Sequence, residues 1–392
     1  MAKKKSRRDF IEFGIKAGIV FPFLSTGIAS CKPNSDTTST SENKSSKKLN
    51  ILILGGTSFL GPHQIAYALG RGHSISMFTR GKTKPTIYKD LFDNVEQLVG
   101  DRNDDLTALQ NRKWDAVIDN SGHKAKWTKD SATLLKDNCD LYLYTSSTGV
   151  FYPYLGNDIK EDTDLVLTEP QIMNEVQKLE YGYGVMKANS ELEAIKQFGK
   201  ERTIIVRPTY MIGPADKTNR FIHWPIRLDR GGEVMVPGKS DDMVQYIDVR
   251  DTAEWMIRLI EDKNTGTYNA AGPKEPQSIY SFVEEASSAF ESKSTFVKID
   301  NHDFLQQNEV FDIVPWIMPV GDNFGSAKIN NQKAIANGLT IRPLTLTVKE
   351  TFDWWNSNAV SQKQRDEVTS NPKSILVRED DILKKWKALK AG

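Results

Sequence analysis

The stretch that decides the fold is LNILILGGTSFLG, Leu49 to Gly61, in which an unbroken apolar run ends in a glycine-rich turn. A continuous apolar run closed by glycines is typical of a strand buried on both faces of a parallel sheet. A helix-like segment follows from about Leu60 to Arg71. Strand, turn and helix in this order let backbone N–H groups and a helix dipole meet a pyrophosphate. We therefore expect a dinucleotide-binding turn made of Gly55, Gly56, Thr57, Ser58, Phe59, Leu60 and Gly61.

Strand and helix patterns alternate beyond this turn, which indicates an α/β fold with a Rossmann-like, doubly wound parallel sheet. The further strands are expected at 74–79, 95–99, 116–119, 141–145 and 203–206. The helices between them are expected near 103–111, 127–138 and 183–198.

The alternation weakens after Pro214, and we expect a smaller C-terminal α/β lobe that binds substrate over the carboxyl edge of the sheet. The Rossmann domain is assigned to residues 49–214. Residues 243–272 are expected to return to it through a strand at 244–247, a helix at 249–261 and a strand at 268–270. The lobe is assigned to 215–242 and 273–360, and residues 361–392 to a tail with a short, charged helix at 380–390.

The N-terminus has the pattern of a bacterial export signal over residues 1–31, with basic residues, a short apolar stretch and small residues before Cys31. Ser6 to Ile11, SRRDFI, resembles a twin-arginine motif, and Ile28 to Cys31, IASC, resembles a lipobox, in which the cysteine is acylated. The alternative is a plain N-terminal anchor helix with an incidental cysteine. Residues 32–48 are polar and predict a disordered tether. We therefore expect a lipoprotein anchored by lipid to a membrane of the cell envelope or periplasm.

The charge balance gives no electrostatic reason to expect a nucleic-acid partner. The net charge is +1, but residues 1–30 hold six Lys or Arg and two acids, so the chain from Cys31 onward carries −3. Cys139 is the only later cysteine, and we expect it to be a buried structural thiol. The five histidines do not cluster with acids, so no metal site is expected.

The end of the second strand reads Phe78-Thr79-Arg80-Gly81-Lys82, with two cations and no acid. An acid there binds the ribose 2′-hydroxyl of NAD, whereas Arg suits the 2′-phosphate of NADP. The sequence therefore favours NADP over NAD, with Arg80 as the contact. The alternative is a solvated basic loop.

Tyr183 and Lys187 are four residues apart, which on a helix places both side chains on one face. A free tyrosine, with a pKa near 10, is a poor base at neutral pH. A nearby lysine charge favours the phenolate, which can then exchange a proton with a substrate hydroxyl while hydride moves. Alone, the pair is equally typical of an ordinary surface helix.

Further motifs follow in order: Gly100-Asp101, Asn120-Ser121-Gly122, Tyr144-Thr145-Ser146-Ser147, Arg207-Pro208-Thr209, Gly213-Pro214 and Gln245 to Asp251. With them, the chain from Leu49 to about Trp355 resembles the extended short-chain dehydrogenase/reductase superfamily, of the NAD-dependent epimerase/dehydratase type. The turn GGTxFLG resembles an atypical branch that also includes chloroplast stem-loop-binding proteins.

The resemblance implies roles for several residues. Ser147 would polarise the substrate oxygen, with Ser146 as the fallback and a simple strand cap as the alternative. Asp101 would lie near the adenine, Asn120, Ser121 and Gly122 along the cofactor, and Pro208 to Tyr210 by the nicotinamide carboxamide. Lys187 would also contact the nicotinamide ribose.

Three departures from the family pattern matter. Ser58 replaces the usual middle glycine of the turn. The segment from Tyr152 to Tyr181 is longer than in most relatives and is either a substrate lid or a surface loop. Relatives that dehydrate nucleotide sugars place Asp-Glu after the catalytic hydroxyl, where this chain has Thr148 and Gly149. Epimerisation or simple redox chemistry is therefore favoured over dehydration.

On the substrate side, Arg220 could meet a carboxylate or phosphate and Trp224 could stack on a sugar face, with His223 between them. The alternative for all three is ordinary packing of the lobe.

Three functions are compatible with these motifs: an epimerase or oxidoreductase of a sugar-like alcohol, a non-catalytic dinucleotide-binding module, and an RNA-associated protein. The Ser147, Tyr183 and Lys187 set favours the enzyme. Nucleotide sugars are not expected outside the cytoplasm, so a free or glycan-bound sugar is the expected substrate. Free cofactor is scarce there too, so we expect NADP or NAD to stay tightly bound through a closed redox cycle. We also expect a homodimer.

Overall fold

The computed structural model describes residues 47–391. The expected export signal, Cys31 and the tether up to residue 46 lie outside the described residues.

The described part contains fourteen strands: β1 Asn50–Leu54, β2 Ser74–Thr79, β3 Glu96–Val99, β4 Trp114–Asp119, β5 Cys139–Thr145, β6 Thr203–Pro208, β7 Met211–Ile212, β8 Gly232–Pro237, β9 Met243–Asp248, β10 Gly266–Ala270, β11 Gly272–Ser278, β12 Ser294–Ile299, β13 Asp312–Ile313 and β14 Trp316–Ile317. It contains eleven α-helices: α1 Leu60–Gly70, α2 Ala125–Leu135, α3 Glu175–Phe198, α4 His223–Arg230, α5 Val249–Glu261, α6 Ile279–Ser287, α7 His302–Gln307, α8 Gln332–Ala336, α9 Leu344–Trp355, α10 Gln362–Thr369 and α11 Ile375–Ala391.

Seven parallel strands form the central sheet, in the order β3-β2-β1-β4-β5-β6-β10. The order reverses between β1 and β4, and ligands of such sheets bind outside the carboxyl ends of the strands at that point. The expected Rossmann-like, doubly wound fold is confirmed.

The sheet is buried on both faces, as the apolar run of β1 predicts. Ile51 and Ile53 pack on one face with α1 and α5, and Leu52 and Leu54 pack on the other with α2 and α3. This alternation follows from the two-residue period of a strand. Cys139 begins β5 in the second of these cores, and burial raises the pKa of its thiol to about 12.

Residues 243–272 return to the Rossmann domain only in part. Helix α5 packs on α1, and β10 forms the edge of the central sheet beside β6. The expectation that β9 also returns is wrong, because β9 pairs with β7 and β11 in a separate three-stranded sheet. Its inward side chains Val244 and Tyr246 pack in the core of the lobe.

The C-terminal segment is more than a tail. Helix α11 starts at Ile375, five residues before the expected helix, and buries Ile382, Leu383 and Trp386 in the same core as β8 and α6. The smaller lobe therefore includes the end of the chain.

Two helix expectations need correction. Residues 103–111 form only a short 3₁₀ turn at Thr107–Leu109, because Asp101 and Asp105 side chains accept hydrogen bonds from the backbone N–H groups of Asn103 and Thr107. Helix α3 begins at Glu175 rather than 183, where Asn174 and Gln177 form a capping box.

Candidate active site

The glycines of the turn after β1 allow close approaches that other residues would block. Gly55 has φ +81°, and a Cβ there would lie 2.6 Å from the Cβ of Ser121. A Cβ on Gly61 would lie 2.5 Å from backbone atoms of Gly56, and one on Gly56 would lie 2.7 Å from Sδ of Met77. The turn therefore packs directly against Ser121, just after β4, and against the start of α1.

Helix α1 starts without a side-chain cap. Its N-cap residue, Phe59, has φ 45° and makes no capping hydrogen bond. The first N–H groups of a helix have no partner within it, and its N-terminus favours an anion. Thr57, Ser58, Phe59 and Leu60 therefore form a cradle of the kind that suits a pyrophosphate.

Asn120 links three parts of this edge. Its Nδ2 donates to the carbonyl oxygen of Gly55 at 3.3 Å and to Oε1 of Gln64 at 2.6 Å. Its Oδ1 accepts a hydrogen bond of 2.7 Å from Oγ1 of Thr145. The carboxyl ends of β1, β4 and β5 are thus held in one arrangement. Pro208 ends β6 farther along the same edge, and the N–H of Thr209 donates to Ala270 at 3.1 Å.

A buried ion pair that the sequence analysis did not find supports Ser121. The Arg102 guanidinium binds both carboxylate oxygens of Asp119 and donates to Oγ of Ser121 at 3.1 Å. The hydroxyl of Tyr142 also donates to Asp119, at 2.7 Å. The available signal was Asp119 itself, since a carboxylate that ends a buried apolar strand requires a charged or hydrogen-bonding partner.

Arg80 is exposed just after β2. Asp101, after β3, is close enough that Arg80 and Lys82 lower the pKa of its carboxyl, although the larger effect is the backbone hydrogen bond from Asn103. One acid and two cations therefore share the end of the sheet where the adenosine half is expected.

Tyr183, Lys187 and Ser147 meet at the carboxyl end of β5. The pKa of the Tyr183 phenol is raised, because desolvation outweighs the lowering effect of the nearby Ser147 hydroxyl. The Lys187 Nζ lies 5.9 Å from the centre of the Tyr183 ring. Oγ of Ser147 also accepts from the N–H of Gly149 at 3.1 Å, so Ser147 caps a short helix while facing Tyr183.

Lys187 is buried, and burial lowers the pKa of its amine to about 8, against the opposing effects of Asp119 and Glu191. Its Nζ lies 5.0 Å from the centre of the Tyr144 ring. The amine therefore carries a charge at neutral pH that is readily lost in mild alkali.

Ser146 faces away from this group. Its hydroxyl donates to Glu191, whose carboxylate also accepts hydrogen bonds of 2.9 and 2.7 Å from Arg207. All three residues are buried. This cluster joins α3 to the ends of β5 and β6, so it fixes the helix that carries Tyr183 and Lys187.

Arg220 lies beside Tyr183 and Tyr210. Its guanidinium is 5.5 Å from the centre of the Tyr210 ring, and it lowers the pKa of Tyr183. Glu180 and Asp312, which the sequence analysis missed, also face it. They come from α3 and β13, which are far apart in the chain, so only the tertiary fold reveals them.

The interpretation of Trp224 as a sugar-stacking residue needs correction. Trp224 is fully buried, packs edge-on to Phe282, and donates from its indole N–H to the carbonyl oxygen of Ile313 at 3.3 Å. His223 is buried as well, and burial lowers the pKa of its imidazole to about 3. Both residues belong to the packing of the lobe.

The first part of the long segment after Tyr152 is bound to the fold. The carbonyl of Glu161 accepts from Arg207 at 2.9 Å, and its carboxylate accepts from the N–H of Asn269 at 2.9 Å. The Tyr152 hydroxyl donates to Asp322 at 3.0 Å. These hydrogen bonds fix this part of the segment to the rest of the fold.

Within residues 47–391, no three His, Cys, Asp or Glu side chains are grouped so that they could hold a metal ion. Over the same range, no helix is both long and apolar enough to cross a membrane.

The profile of the NAD dependent epimerase/dehydratase family matches residues 51–271, more than half of the chain. The chain belongs to this family. A curated relative is the chloroplast stem-loop binding protein of 41 kDa b of Arabidopsis thaliana, 26% identical over 246 residues. That match covers 58% of this chain and 60% of the relative, so the chain spans less than two thirds of the relative's length.

Several solved structures share the fold. The Bordetella bronchiseptica enzyme WbmH in complex with NAD+ matches with a TM-score of 0.55 and 14% identity, over 80% of this chain and all of that one. UDP-N-acetylglucosamine 4-epimerase of Bacillus cereus matches with a TM-score of 0.55 and 17% identity, over 79% and 100%. dTDP-glucose 4,6-dehydratase of Bacillus anthracis in complex with NAD matches with a TM-score of 0.56 and 15% identity, over 81% and 98%.

Proposed function

We propose that this protein is an NAD(P)-dependent epimerase or oxidoreductase that acts on a sugar-like alcohol or ketone. The observation that carries the proposal is that Tyr183, Lys187 and Ser147 converge at the carboxyl edge of the sheet, where the glycine turn and the uncapped start of α1 also lie. Membership of the family supports it.

A nicotinamide dinucleotide, when bound, supplies a hydride acceptor and donor. The cradle at Thr57 to Leu60 would hold its pyrophosphate, and Asn120, Ser121, Gly122 and Pro208 would line the rest. The Ser147 hydroxyl orients and polarises the substrate oxygen. The Tyr183 phenol takes or returns the hydroxyl proton, and the Lys187 charge favours the phenolate that does so.

The cofactor is a nicotinamide dinucleotide in this proposal, and NADP is favoured by Arg80 and Lys82 without an acid at the end of β2. Two observations favour NAD instead. The similar structures of WbmH and of the dehydratase hold NAD, and the acid Asp101 lies beside both cations, Arg80 and Lys82. Titration of Arg80→Ala with both dinucleotides tests the preference, with Lys84→Ala as a control in the same loop. A greater loss for NADP assigns the 2′-phosphate to Arg80, and equal losses exclude it.

The direct test is a single turnover of the purified protein with bound NAD+ or NADP+, in which transient reduction of the bound cofactor is followed at 340 nm and the sugar product is identified by NMR. Three probes separate the substrate classes: UDP-N-acetylglucosamine, dTDP-glucose and free N-acetylglucosamine. We expect reduction of the cofactor with at least one of them, and the free sugar is favoured if the enzyme works in the envelope. Cofactor binding without turnover of any probe would support a non-catalytic binding module instead.

We also propose that the enzyme is a lipoprotein of the cell envelope, acylated at Cys31, and that its cofactor stays bound through a closed redox cycle. The basis is the sequence of residues 1–31, which lies outside the described residues. Mass spectrometry of protein from native membranes should find an acylated Cys31 and near-stoichiometric dinucleotide. An intact segment 1–30 would overturn the acylation at Cys31. Protein that works only with excess added cofactor would overturn the closed redox cycle.

A further inference from the structure

Glu180 lies three residues before Tyr183 on α3, so the two side chains share one face of the helix. Glu180 is exposed, and none of residues 47–391 hydrogen-bonds its carboxylate. The same holds for Asp312, on β13. Exposed carboxylates that have no hydrogen-bonding partner are available to a ligand.

The groups close enough to Glu180 to interact electrostatically come from several elements: Arg220, Asp312, Tyr152, Tyr154, Tyr183 and Tyr210. Arg220 is held by a 2.9 Å hydrogen bond from its Nε to Oγ1 of Thr218, and forms no ion pair with either acid at 4 Å or less. Removal from water raises the pKa of Glu180, and Asp312 raises it further, whereas Arg220 lowers it. Glu180 is thus a carboxylate in a tyrosine-lined site, beside the residue that handles the hydroxyl proton.

The positions directly after Ser147 are Thr148 and Gly149, which carry no carboxyl group. An acid–base group that acts on a carbon of the substrate must therefore come from another element. Glu180 is placed for this, because it lies one helical turn before Tyr183 and is close enough to affect the pKa of the phenol.

We infer that Glu180 is a second acid–base group, which removes and returns the proton on the carbon next to the substrate ketone. The inference rests on the proposed function and narrows it to epimerisation of the carbon beside the oxidised one. The ketone is the product of alcohol oxidation by the bound nicotinamide dinucleotide. A Glu180 oxygen takes the proton, the C–H electron pair forms a C=C bond, and the carbonyl π pair moves to oxygen to give an enolate. The Tyr183 and Ser147 hydroxyls stabilise that oxygen. Return of the proton from Glu180 restores the ketone and the Glu180 carboxylate, with nothing consumed. The carbon is inverted when the enolate turns its opposite face to Glu180 before the proton returns.

The experiment supplies the ketone directly, so that it does not depend on hydride transfer. Full-length protein with NAD+ is mixed with dTDP-4-keto-6-deoxyglucose in D2O, and deuterium in the sugar is measured by mass spectrometry and NMR. We expect incorporation next to the ketone at least about 100-fold faster than in buffer, and a 10²–10⁴-fold loss in Glu180→Gln. Glu175→Gln, on the first turn of the same helix, should leave the rate unchanged.

The pH dependence of the exchange rate distinguishes an acid–base role of Glu180 from a purely structural one. Exchange requires the carboxylate, so its rate should rise with pH through a midpoint above the ordinary pKa of glutamate. Arg220→Gln should move that midpoint upward, because the arginine lowers the pKa of Glu180.

Wild-type protein that exchanges no faster than buffer, or Glu180→Gln that exchanges at the wild-type rate, would overturn the inference. Exchange that depends on Glu180, in protein that fails to reduce NAD+ or NADP+ with every sugar probe, would instead refute the hydride-transfer function and leave the acid–base role of Glu180 standing.

Discussion

The Nζ atom of Lys187 lies 2.8 Å from the carbonyl oxygen of Thr145 and donates a hydrogen bond to it. The bond ties the middle of α3 to the last residue of β5, two positions before Ser147. A neutral acceptor in a buried site positions the amine but compensates only part of the loss of hydration of its charge. The burial that positions the Lys187 amine against Thr145 therefore also lowers the pKa of that amine.

The stability of the protein without added dinucleotide should rise between about pH 8 and pH 10.5, as Lys187 loses its proton in the fold before it does so in the unfolded chain. The folded pKa is the lower one, so the unfolded chain binds more protons in this window and the free energy of unfolding increases with pH. The gain is absent below pH 8 and complete above 10.5, and amounts to roughly 3 kcal/mol at most.

Urea denaturation gives the free energy of unfolding of wild type and of Lys187→Met across this pH range. The difference between the two curves isolates the contribution of Lys187, because the titration of all other groups cancels. Lys178→Met, at an exposed position on the same helix, is the control and should give a curve parallel to that of wild type. Parallel curves for wild type and Lys187→Met would show that Lys187 keeps its ordinary proton affinity.

Tyr183→Phe should reduce turnover by about 10²–10⁴-fold, because the phenol transfers the substrate proton. Dinucleotide affinity should change little, since the turn and α1 supply the main binding surface. Tyr181→Phe is a matched control, because Tyr181 is two residues away and its ring packs edge-on to Tyr152 at 4.9 Å. Steady-state kinetics and a dinucleotide titration on each variant measure both effects, and full activity in Tyr183→Phe would remove the phenol from the mechanism.

Gly61→Ala should destabilise the fold by about 1–3 kcal/mol or more, because the new methyl group would be forced against the backbone of Gly56. Gly70→Ala, at the other end of α1, meets nothing within 4 Å and should be neutral or stabilise by about 0.4–1 kcal/mol. Chemical denaturation of the two variants provides the comparison. Equal free energies of unfolding for the two variants would mean that the turn accommodates the added methyl group at residue 61 without loss of stability.

The glycine-rich turn is one of the features of the fold that could be predicted from the sequence. The turn, the central sheet and α5 follow from local patterns: apolar runs, glycine positions, and the Asp248 N-cap before an amphipathic helix. The short-range Tyr183 and Lys187 pair follows for the same reason. Sequence spacing does not reveal which distant elements face one another, so Arg102 beside Asp119, Glu180 beside Arg220, and the pairing of β9 with β11 appeared only in the fold.

Glu379→Gln should destabilise the lobe by about 3–5 kcal/mol, because it leaves the buried Arg227 guanidinium without its counter-ion. The Glu379 carboxylate also accepts from the N–H of Met235 at 2.7 Å, which joins α11 to β8. Asp381→Asn removes an exposed partner of Lys384 on the same helix and should leave stability unchanged. Thermal melts of both variants test this, and equal melting temperatures would show that the buried pair contributes nothing.

The position of Glu379 also bears on how the protein is made. Its partner Arg227 is 152 residues earlier, and the core of the lobe takes Ile382, Leu383 and Trp386 from the last helix. During translation, the strands of the central sheet, which end at Ala270, emerge before α11, and the lobe lacks part of its core until α11 has emerged. Ribosome-bound chains that stop before Ile375 should therefore display an open, protease-sensitive lobe beside a formed nucleotide fold.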